Sequence, residues 1–326
     1  MDRRAFLSAM ASLAVASPVL ANPFTKGAAT MRRITFKSGA DTIVGQIYLP
    51  EGASALAPVP AVVVTGAWFT VKEQMSTIYA RALARRGYAA LAFDFRGFGE
   101  SGGAIRQREI PADKIADIVA AAAFLKAQPE VDGARVGGLG ICASAGYMVA
   151  AATESNDLKS IALVAPWLHD AALVETIYGG KDAVARLIEA GRKAEASFKA
   201  TGRQTFFPGA SRTDRTAIMF DVPYYTETTR GLIPAWRNKV DPAFWESWLT
   251  FDAMRYAPKL AQPFLIVESD AAALPAGARQ FYAKVPGNKR ELWLDGISQF
   301  DFYDRPSVVA SAIDAVADHF ARIVPR

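Results

Sequence analysis

Cys142, the only cysteine of the chain, has the surroundings that point most directly to chemistry. Small residues flank it, with Gly140 two positions before and Ser144 two positions after. The apolar stretch 136–141 predicts a strand that runs into the cysteine, and residues 147–152 predict a helix that follows at once. A turn this tight tolerates only small neighbours and presents its apex residue to a ligand. Because a helix N-terminus favours a thiolate, we expect a lowered pKa for the Cys142 thiol.

The spacing Gly140-x-Cys142-x-Ser144 resembles the nucleophile elbow of the α/β-hydrolase superfamily. Cysteine in place of the usual serine is similar to the dienelactone-hydrolase-like branch, and Ser144 stands where the family usually has glycine. A second register, Cys142-x-Ser144-x-Gly146, would make Ser144 the nucleophile. We prefer Cys142, because the strand then runs straight into the turn and Gly140 falls where the close approach is needed. The alternative is a buried, unreactive cysteine, as most free cysteines are.

The resemblance implies an oxyanion hole built from two backbone amides. In the family, one amide comes from the loop after a central strand and the other from the residue after the nucleophile. The corresponding loop here is 65–70, so by position the donors are Ala67 and Ala143. Thr65 stands where the family usually has histidine. Trp68, in the same loop, is expected either to line the pocket or to fill the core.

The resemblance also implies an acid after the next-to-last strand and a histidine after the last one. Asp270 is our choice for the acid, with Glu268 second, although Asp270 could equally cap a helix. Gln299 stands where the family has its histidine. A glutamine donates and accepts hydrogen bonds but takes up no proton near neutral pH. This departure separates the chain from an ordinary catalytic triad.

The chain has two histidines, His169 and His319. His169 follows a predicted buried strand, at the sheet edge where open α/β sheets bind ligands, so it is a candidate base. It could instead be a capping or packing residue. His319 lies within the last predicted helix, where we expect a partly exposed residue without a catalytic role.

These residues leave three functions open. In the first, an acyl-cysteine enzyme cleaves esters, thioesters or lactones, with Gln299 orienting substrate or water and His169, or no residue, supplying the base. In the second, Cys142 passes its acyl group to an acceptor other than water. In the third, a degenerate hydrolase scaffold binds an apolar ligand without chemistry. The partner in each case is a small apolar molecule, whose pocket we expect to be lined by aromatic residues: Trp68, Trp167, Tyr224, Tyr225 and Trp236.

The hydrophobic pattern predicts the scaffold that would position these residues. After an N-terminal hairpin, buried strands alternate with helices, which predicts a mostly parallel central sheet with helices on both faces. Residues 166–258 lack buried strands and are rich in aromatic residues, so they predict a helical cap inserted after the sixth strand. Residues 22–165 and 259–326 would form the α/β-hydrolase core.

Composition narrows the classes further. Hydrophobic residues make up 51% of the 326-residue chain and charged residues 21%, which suits a large buried core. The net charge of +5 comes from scattered basic residues, so we expect no nucleic-acid partner. One cysteine excludes an intramolecular disulfide. The sequence shows no metal-ligand cluster and no phosphate loop, so no metal or cofactor is expected, and it does not specify an oligomeric state.

The first 21 residues predict an export signal. Arg3 and Arg4 precede an apolar run, 9–20, and the small residue Ala21 that follows it suits cleavage. Paired arginines favour the bacterial twin-arginine route, and hence a periplasmic protein. The apolar run is shorter than the ~20 residues of a membrane span, so we expect no stable anchor once the signal is removed.

Overall fold

The computed structural model describes residues 29–323. Its strands are β1 (Thr30–Ser38), β2 (Asp41–Leu49), β3 (Val59–Thr65), β4 (Ala89–Phe93), β5 (Val131–Ile141), β6 (Ser160–Val164), β7 (Ala210–Ser211), β8 (Met219–Phe220), β9 (Phe264–Glu268) and β10 (Lys289–Trp293). Its helices are α1 (Met75–Ala84), α2 (Pro111–Lys126), α3 (Ser144–Glu154), α4 (Ala171–Ile177), α5 (Lys181–Thr201), α6 (Pro223–Thr226), α7 (Phe244–Leu249), a 3₁₀ helix (Met254–Lys259), α8 (Pro275–Lys284), α9 (Asp301–Asp304) and α10 (Pro306–Ile323). The expected export segment, 1–21, lies outside the described residues.

Eight strands form one sheet in the order β1-β2-β4-β3-β5-β6-β9-β10. The first three of these are paired antiparallel, and every later pair is parallel. Strands β4, β6 and β9 are buried at every residue, as expected for parallel strands that are covered on both faces. The predicted fold class, a mostly parallel sheet between helical layers, is therefore confirmed.

Two consecutive glycines of β5 show how closely the helical layers approach the sheet. A Cβ atom at Gly137 would lie 2.8 Å from the ring of Phe320 in α10. A Cβ atom at Gly138 would lie 2.4 Å from the sulfur of Met148 in α3. Neighbouring residues of a strand point to opposite faces, so α10 and α3 cover opposite faces of β5. The central strand is thus fixed from both sides directly before Cys142.

Helices α4 to α7 and the short β7–β8 pair lie between β6 and β9 in the chain. The last part of this segment has two short helices, α7 and a separate 3₁₀ helix. Asp252 lies between them, and its side chain accepts a 2.8 Å hydrogen bond from the Met254 amide, which begins a new turn there. Within residues 29–323, no helix combines the length and the apolar character that a membrane crossing requires.

Candidate active site

The candidate site lies at the carboxyl ends of the parallel strands, and Cys142 directly follows β5. Its backbone is in the left-handed region, with φ 57, a conformation that non-glycine residues adopt only where the surroundings enforce it. Gly140 is required by the close approach of α3, because a Cβ atom there would lie 2.8 Å from Cα of Ala145. The backbone amide of Cys142 donates to the Val164 carbonyl at 3.2 Å, which ties the turn to β6. The small-residue spacing therefore forms the tight elbow that it predicts.

Two backbone amides point at the sulfur of Cys142. They belong to Ala143 and Trp68, and each donates a hydrogen bond that lowers the pKa of the thiol. Ala143 was expected as a donor, but the expectation for Ala67 is wrong. The amide of Ala67 faces the sulfur of Met75 at 3.5 Å, because the loop turns one residue later than its position in the sequence suggested. The two amides that converge on the sulfur, and hence the candidate oxyanion donors, are those of Trp68 and Ala143.

The thiol of Cys142 is not acidic, contrary to the expectation from its place before a helix. Burial raises its pKa to about 11, and this effect exceeds the opposing hydrogen bonds from Tyr303, Ala143 and Trp68. Only 8% of the residue is exposed, so the thiolate would lose most of its hydration. The sulfur is nevertheless not sealed off, because it lines a cavity of about 400 Å³.

Ser144, the alternative nucleophile, is held by the backbone. Its hydroxyl donates to the Ile141 carbonyl at 3.0 Å and accepts from the Ile141 amide at 3.1 Å. The Thr65 hydroxyl also donates to it at 2.8 Å. The side chain is 1% exposed and fully engaged in closing the elbow, so the geometry favours the register with Cys142 at the apex.

Gln299 reaches the site through a tyrosine that sequence reasoning missed. Its amide nitrogen donates to the Ala165 carbonyl at 2.8 Å and to the Tyr303 hydroxyl at 3.1 Å, while its oxygen accepts from the Ala273 amide at 3.0 Å. The Tyr303 hydroxyl in turn hydrogen-bonds to Cys142. Tyr303 comes four residues after Gln299 in the loop expected to carry the histidine, and this spacing was the available signal.

Of the two candidate acids, our second choice, Glu268, is buried near the site, whereas our first choice, Asp270, lies on the surface. Asp270 points outward and forms a 2.9 Å ion pair with Arg279, whose hydrogen bond lowers the pKa of the carboxyl. The side chain of Glu268 is fully buried at the end of β9, and burial raises its pKa to about 8. One Glu268 oxygen accepts from the Ser269 amide at 2.9 Å, and the other has no hydrogen-bond partner among the described atoms. The buried acid next to the site is therefore Glu268.

His169 is not placed to act as a base. Its Nδ1 accepts a 2.9 Å hydrogen bond from the Trp167 indole, and its Nε2 lies 3.1 Å from the Trp248 carbonyl, where it must donate. Both ring nitrogens are thus occupied, and burial lowers the pKa of the imidazole. His169 therefore fixes the orientation of the Trp167 indole, which lines the cavity.

His319 is fully buried, not partly exposed as expected. It lies 2.9 Å from the hydroxyl of Ser160, which begins β6 at the opposite edge of the sheet from Cys142. Burial lowers the pKa of its imidazole to about 4, so the ring is neutral near pH 7. His319 therefore serves the packing of α10 against the sheet, as the absence of an expected catalytic role allows.

The cavity beside Cys142 is lined almost wholly by apolar and aromatic side chains. Its lining residues are Trp68, Cys142, Trp167, Ile177, Tyr178, Ile218, Met219, Phe220, Val222, Tyr225, Ala273, Gln299, Phe300 and Tyr303. Of the aromatic residues expected to bind substrate, Trp68, Trp167 and Tyr225 face it. Tyr224 and Trp236 do not, because their rings pack behind Tyr225 at centroid distances of 4.8 and 5.4 Å. None of the lining residues is charged.

A cluster of acidic residues, Glu73, Asp94 and Glu100, lies elsewhere in the fold. The ammonium group of Lys72 occupies its centre, 2.7 Å from Glu73, 2.8 Å from Asp94 and 2.6 Å from Glu100. This buried cation pairs with all three carboxylates and holds the loop after β4 in place.

Comparison with known proteins identifies the family. The model of the X-Pro dipeptidyl-peptidase (S15) family matches residues 38–295. The uncharacterized protein YcjY of Escherichia coli is 30% identical over 286 residues, which cover 84% of this chain and 92% of that protein. The thiohydrolase aneE of Aspergillus aculeatus is 30% identical over 161 residues, 49% of this chain and 48% of the relative.

Solved structures share the fold. The hypothetical protein PA2218 from Pseudomonas aeruginosa superposes with a TM-score of 0.81 at 25% identity, covering 93% of this chain and 97% of that chain. A dienelactone hydrolase from Anabaena variabilis superposes with a TM-score of 0.56 at 12% identity, covering 90% of this chain and 98% of the other. The expected likeness to α/β hydrolases, including the dienelactone-hydrolase-like branch, is therefore confirmed for the fold.

Proposed function

The chain belongs to the X-Pro dipeptidyl-peptidase (S15) family and is an α/β hydrolase, and on this premise we propose that it cleaves thioesters of a small apolar acyl group through an acyl-Cys142 intermediate. The observation that carries the proposal is the position of the sulfur. It lies at the apex of a strained turn, at the wall of an uncharged cavity, with the amides of Trp68 and Ala143 directed at it. An acyl carbonyl bound beside the sulfur would place its oxygen near the same two donors.

The basicity of Cys142 selects the leaving group. Attack forms a bond from Sγ to the acyl carbon, and the tetrahedral intermediate then expels either Cys142 or the original leaving group. A thiol with a pKa of about 11 is a poorer leaving group than an ordinary thiol, whose pKa is about 8.5. The tetrahedral intermediate formed from a thioester therefore expels the thiol of the substrate and leaves the acyl group on Cys142. The departing sulfur takes the proton that Cys142 gives up.

Alkyl esters should be poor substrates by the same reasoning. An alkoxide is about as basic as hydroxide, whose conjugate acid has a pKa of about 15.7, so it leaves only if an acid protonates it. Burial raises the pKa of the Tyr303 hydroxyl well above its usual range, which makes Tyr303 a hydrogen-bond donor but a weak acid. Aryl esters, with leaving phenols near pKa 10, should fall between the two classes.

The cavity lining supports an apolar acyl group over a peptide. A dipeptidyl-peptidase acts at a free N-terminus, and burying its ammonium group without an opposing carboxylate is costly. No acidic side chain lines the cavity. A volume of about 400 Å³ is at the small end of ligand pockets and suits a compact aromatic or branched acyl group. The name of the relative aneE, a thiohydrolase, supports the same bond type.

Acyl transfer is a second candidate, and Gln299 favours it. The hydrogen bonds from Ala273 and to Ala165 fix the orientation of its amide, so Gln299 directs its remaining N–H at Tyr303 and presents no basic atom to the site. General-base assistance contributes about 10²- to 10⁴-fold to the activation of water. A thiol or amine acceptor depends less on a base than water does, and it would intercept an acyl-enzyme that water removes slowly.

Mass spectrometry of the intact protein tests the proposal. A brief exposure to an N-acetylcysteamine thioester of benzoic acid should add one benzoyl group to the wild type and none to Cys142→Ala. In steady state, the benzoyl thioester and the phenyl ester should turn over at least 100-fold faster than ethyl benzoate. An X-Pro anilide should not be cleaved. Absence of the adduct, with turnover that survives in Cys142→Ala, would remove the acyl-cysteine mechanism.

We also propose that residues 1–21 direct the chain to the periplasm by the twin-arginine route. There the enzyme would act on a small apolar substrate, with no nucleic-acid partner and no stable membrane span. Fractionation of cells that express the full chain tests this. The wild type should be recovered in the periplasmic fraction in a shortened form, whereas Arg3→Lys with Arg4→Lys should stay cytoplasmic at full length.

A further inference from the structure

Besides Cys142, the site has a second residue with a strained backbone, Phe69 in the oxyanion loop 65–70. Two side chains that are distant in sequence hold its backbone. We infer that Glu109 and Trp236 are positioning residues that direct the Trp68 amide at the acyl group by clamping the backbone of Phe69 from both sides. The inference rests on the proposed function for its chemistry, because it assigns a task to residues of the same site. Its geometry is independent of which acyl group binds.

Residues 67–70 form a β-turn closed by a 3.4 Å hydrogen bond from the Thr70 amide to the Ala67 carbonyl. Phe69 occupies the third position of this turn with φ 55. That conformation suits glycine, and a bulky side chain adopts it only where the surroundings compensate for the strain. The turn that supplies an oxyanion donor would therefore relax without external support.

Both polar groups of the Phe69 backbone have buried partners. The amide donates to Glu109 at 3.4 Å, and the carbonyl accepts from the Trp236 indole at 2.8 Å. Glu109 is fully buried, and 5% of Trp236 is exposed. Glu109 precedes α2 in the core, whereas Trp236 belongs to the segment between β6 and β9. The clamp therefore joins two separate parts of the chain at the oxyanion loop.

The orientation of this turn decides where the Trp68 amide points. The Ala67 carbonyl accepts a 2.6 Å hydrogen bond from the Thr70 hydroxyl. This carbonyl and the Trp68 N–H belong to one planar trans peptide unit, so they point in opposite directions. With the turn held in this way, the Trp68 N–H faces Cys142. If the turn relaxed at Phe69, this donor would move away from the sulfur.

The buried carboxylate of Glu109 is balanced locally. The ammonium group of Lys114 lies 2.8 Å from it, and the Tyr147 hydroxyl donates to it at 2.8 Å. Lys114 also lies 4.5 Å from the ring centroid of Phe98 and 4.6 Å from that of Phe95, which stabilises the cation where water is excluded. The charge pair thus lets Glu109 remain an acceptor for the Phe69 amide beneath the site.

The test compares Trp236→Phe with Trp245→Phe. Trp236→Phe keeps a ring against Tyr225 and removes only the indole donor to Phe69, whereas the ring of Trp245 packs on Phe244 and Tyr178 and donates no hydrogen bond to Phe69. Loss of an oxyanion donor costs about 10²- to 10³-fold in kcat, so loosening one should cost about tenfold. We expect kcat for the benzoyl thioester to fall about tenfold in Trp236→Phe with KM within twofold, and to stay within twofold in Trp245→Phe.

Glu109 is tested in the same assay with Glu109→Met, which removes the acceptor of the Phe69 amide, and with the double variant Glu109→Met/Lys114→Met. The double variant removes the unpaired cation that the single variant would bury, so a low kcat in both assigns the effect to the Phe69 amide and not to a stranded charge. Equal kcat in the wild type and in Trp236→Phe and the double variant, at unchanged melting temperature, would overturn the inference.

A readout without turnover separates this inference from the proposed function. The rate of Cys142 alkylation by iodoacetamide at pH 9 should fall at least threefold in Trp236→Phe, because the displaced Trp68 amide no longer stabilises the thiolate, and should be unchanged in Trp245→Phe. If the wild type forms no acyl-enzyme but this difference holds, the clamp stands and the proposed reaction fails. If the wild type is acylated and the alkylation rates are equal, the clamp alone fails.

Discussion

The side-chain amide of Gln299 donates a hydrogen bond to the Tyr303 hydroxyl at 3.1 Å, and this contact fixes the direction of the hydrogen bonds at the site. Because Tyr303 accepts from Gln299, its own proton is free to point at Cys142, with which it hydrogen-bonds. Gln299, which the resemblance matches to the family's histidine, thus contacts the sulfur through a tyrosine. It supports a hydrogen-bond donor to Cys142, whereas an imidazole would supply a base.

Gln299→His should convert a slow acyl-enzyme into a faster hydrolase. An imidazole at this position can take a proton from water, and general-base assistance is worth about 10²- to 10⁴-fold where the geometry is suitable. We expect deacylation to speed up at least tenfold, with a rise in rate near pH 6.5 as the imidazole loses its proton. Single-turnover release of benzoate from the benzoyl-enzyme measures this.

The matched control for that variant is Gln299→Asn, which keeps an amide and gains no base. It should not accelerate deacylation. If both variants accelerate release equally, the gain comes from a loosened pocket that admits water. A histidine at position 299 would then not act as a base, and Gln299 would not occupy the position of a catalytic histidine.

The thiol of Cys142 should behave as a buried group with a high pKa. Between pH 7 and pH 10, its alkylation rate with iodoacetamide should rise about tenfold per pH unit without a plateau, because the thiol pKa of about 11 leaves the thiolate a minor species throughout. The same residue in urea should reach a plateau above about pH 8.5. A plateau near pH 7 in the folded protein would restore the acidic thiolate that the sequence suggested.

The hydrogen bond from Tyr303 lowers the pKa of Cys142, so Tyr303→Phe should slow alkylation further at every pH. Tyr224→Phe is its control, because Tyr224 packs on Tyr303 at a centroid distance of 5.0 Å but lies behind the cavity wall.

The elbow was predictable because its causes are local. Small residues at 140 and 144 and the change of hydrophobic period around Cys142 are visible in a dozen residues of sequence. The same locality explains the correct order of strands and helices along the core. Local sequence does not predict which amide of the loop 65–70 points at the sulfur, so the prediction for Ala67 failed. A shift of one residue decides this, and the shift depends on the contacts of Phe69 with Glu109 and Trp236.

The remaining errors come from burial, which a local pattern does not measure. Position before a helix predicts an acidic Cys142, but the packing around the sulfur outweighs the helix terminus. Position after β9 does not distinguish Asp270 from Glu268, since only the fold shows which carboxyl points inward. His169 is at the expected edge of the sheet, yet its ring is taken up by Trp167 and Trp248.

Three variants should separate the two possible nucleophiles. Ser144→Ala should still acquire a benzoyl group, but removing the acceptor of the buried Ile141 amide should reduce the free energy of unfolding by about 1–3 kcal/mol. Cys142→Ala should fold and acquire none. Cys142→Ser should also acquire none, because a serine hydroxyl needs a base that the site does not offer. Adduct formation by Cys142→Ala that disappears in the double variant with Ser144→Ala would reassign the nucleophile.

Glu268→Gln should make the protein more stable at alkaline pH. The pKa of Glu268 is about 8 in the folded chain and about 4.3 in an unfolded one, so the folded state binds more protons in that window. Stability is therefore fully present below about pH 4.3 and is lost as the pH rises through 8. A shift of this size corresponds to several kcal/mol, on the order of 3–5, which the neutral amide should recover at pH 9. Urea unfolding of both proteins at pH 4.5 and pH 9 measures the effect, and the two should differ little at the lower pH.

Asp270→Asn is the control on the neighbouring acid, and its exposed side chain should leave the urea midpoint unchanged at both pH values. A Glu268→Gln variant that is less stable than the wild type at pH 9 would mean that the carboxylate is charged and compensated in the folded chain.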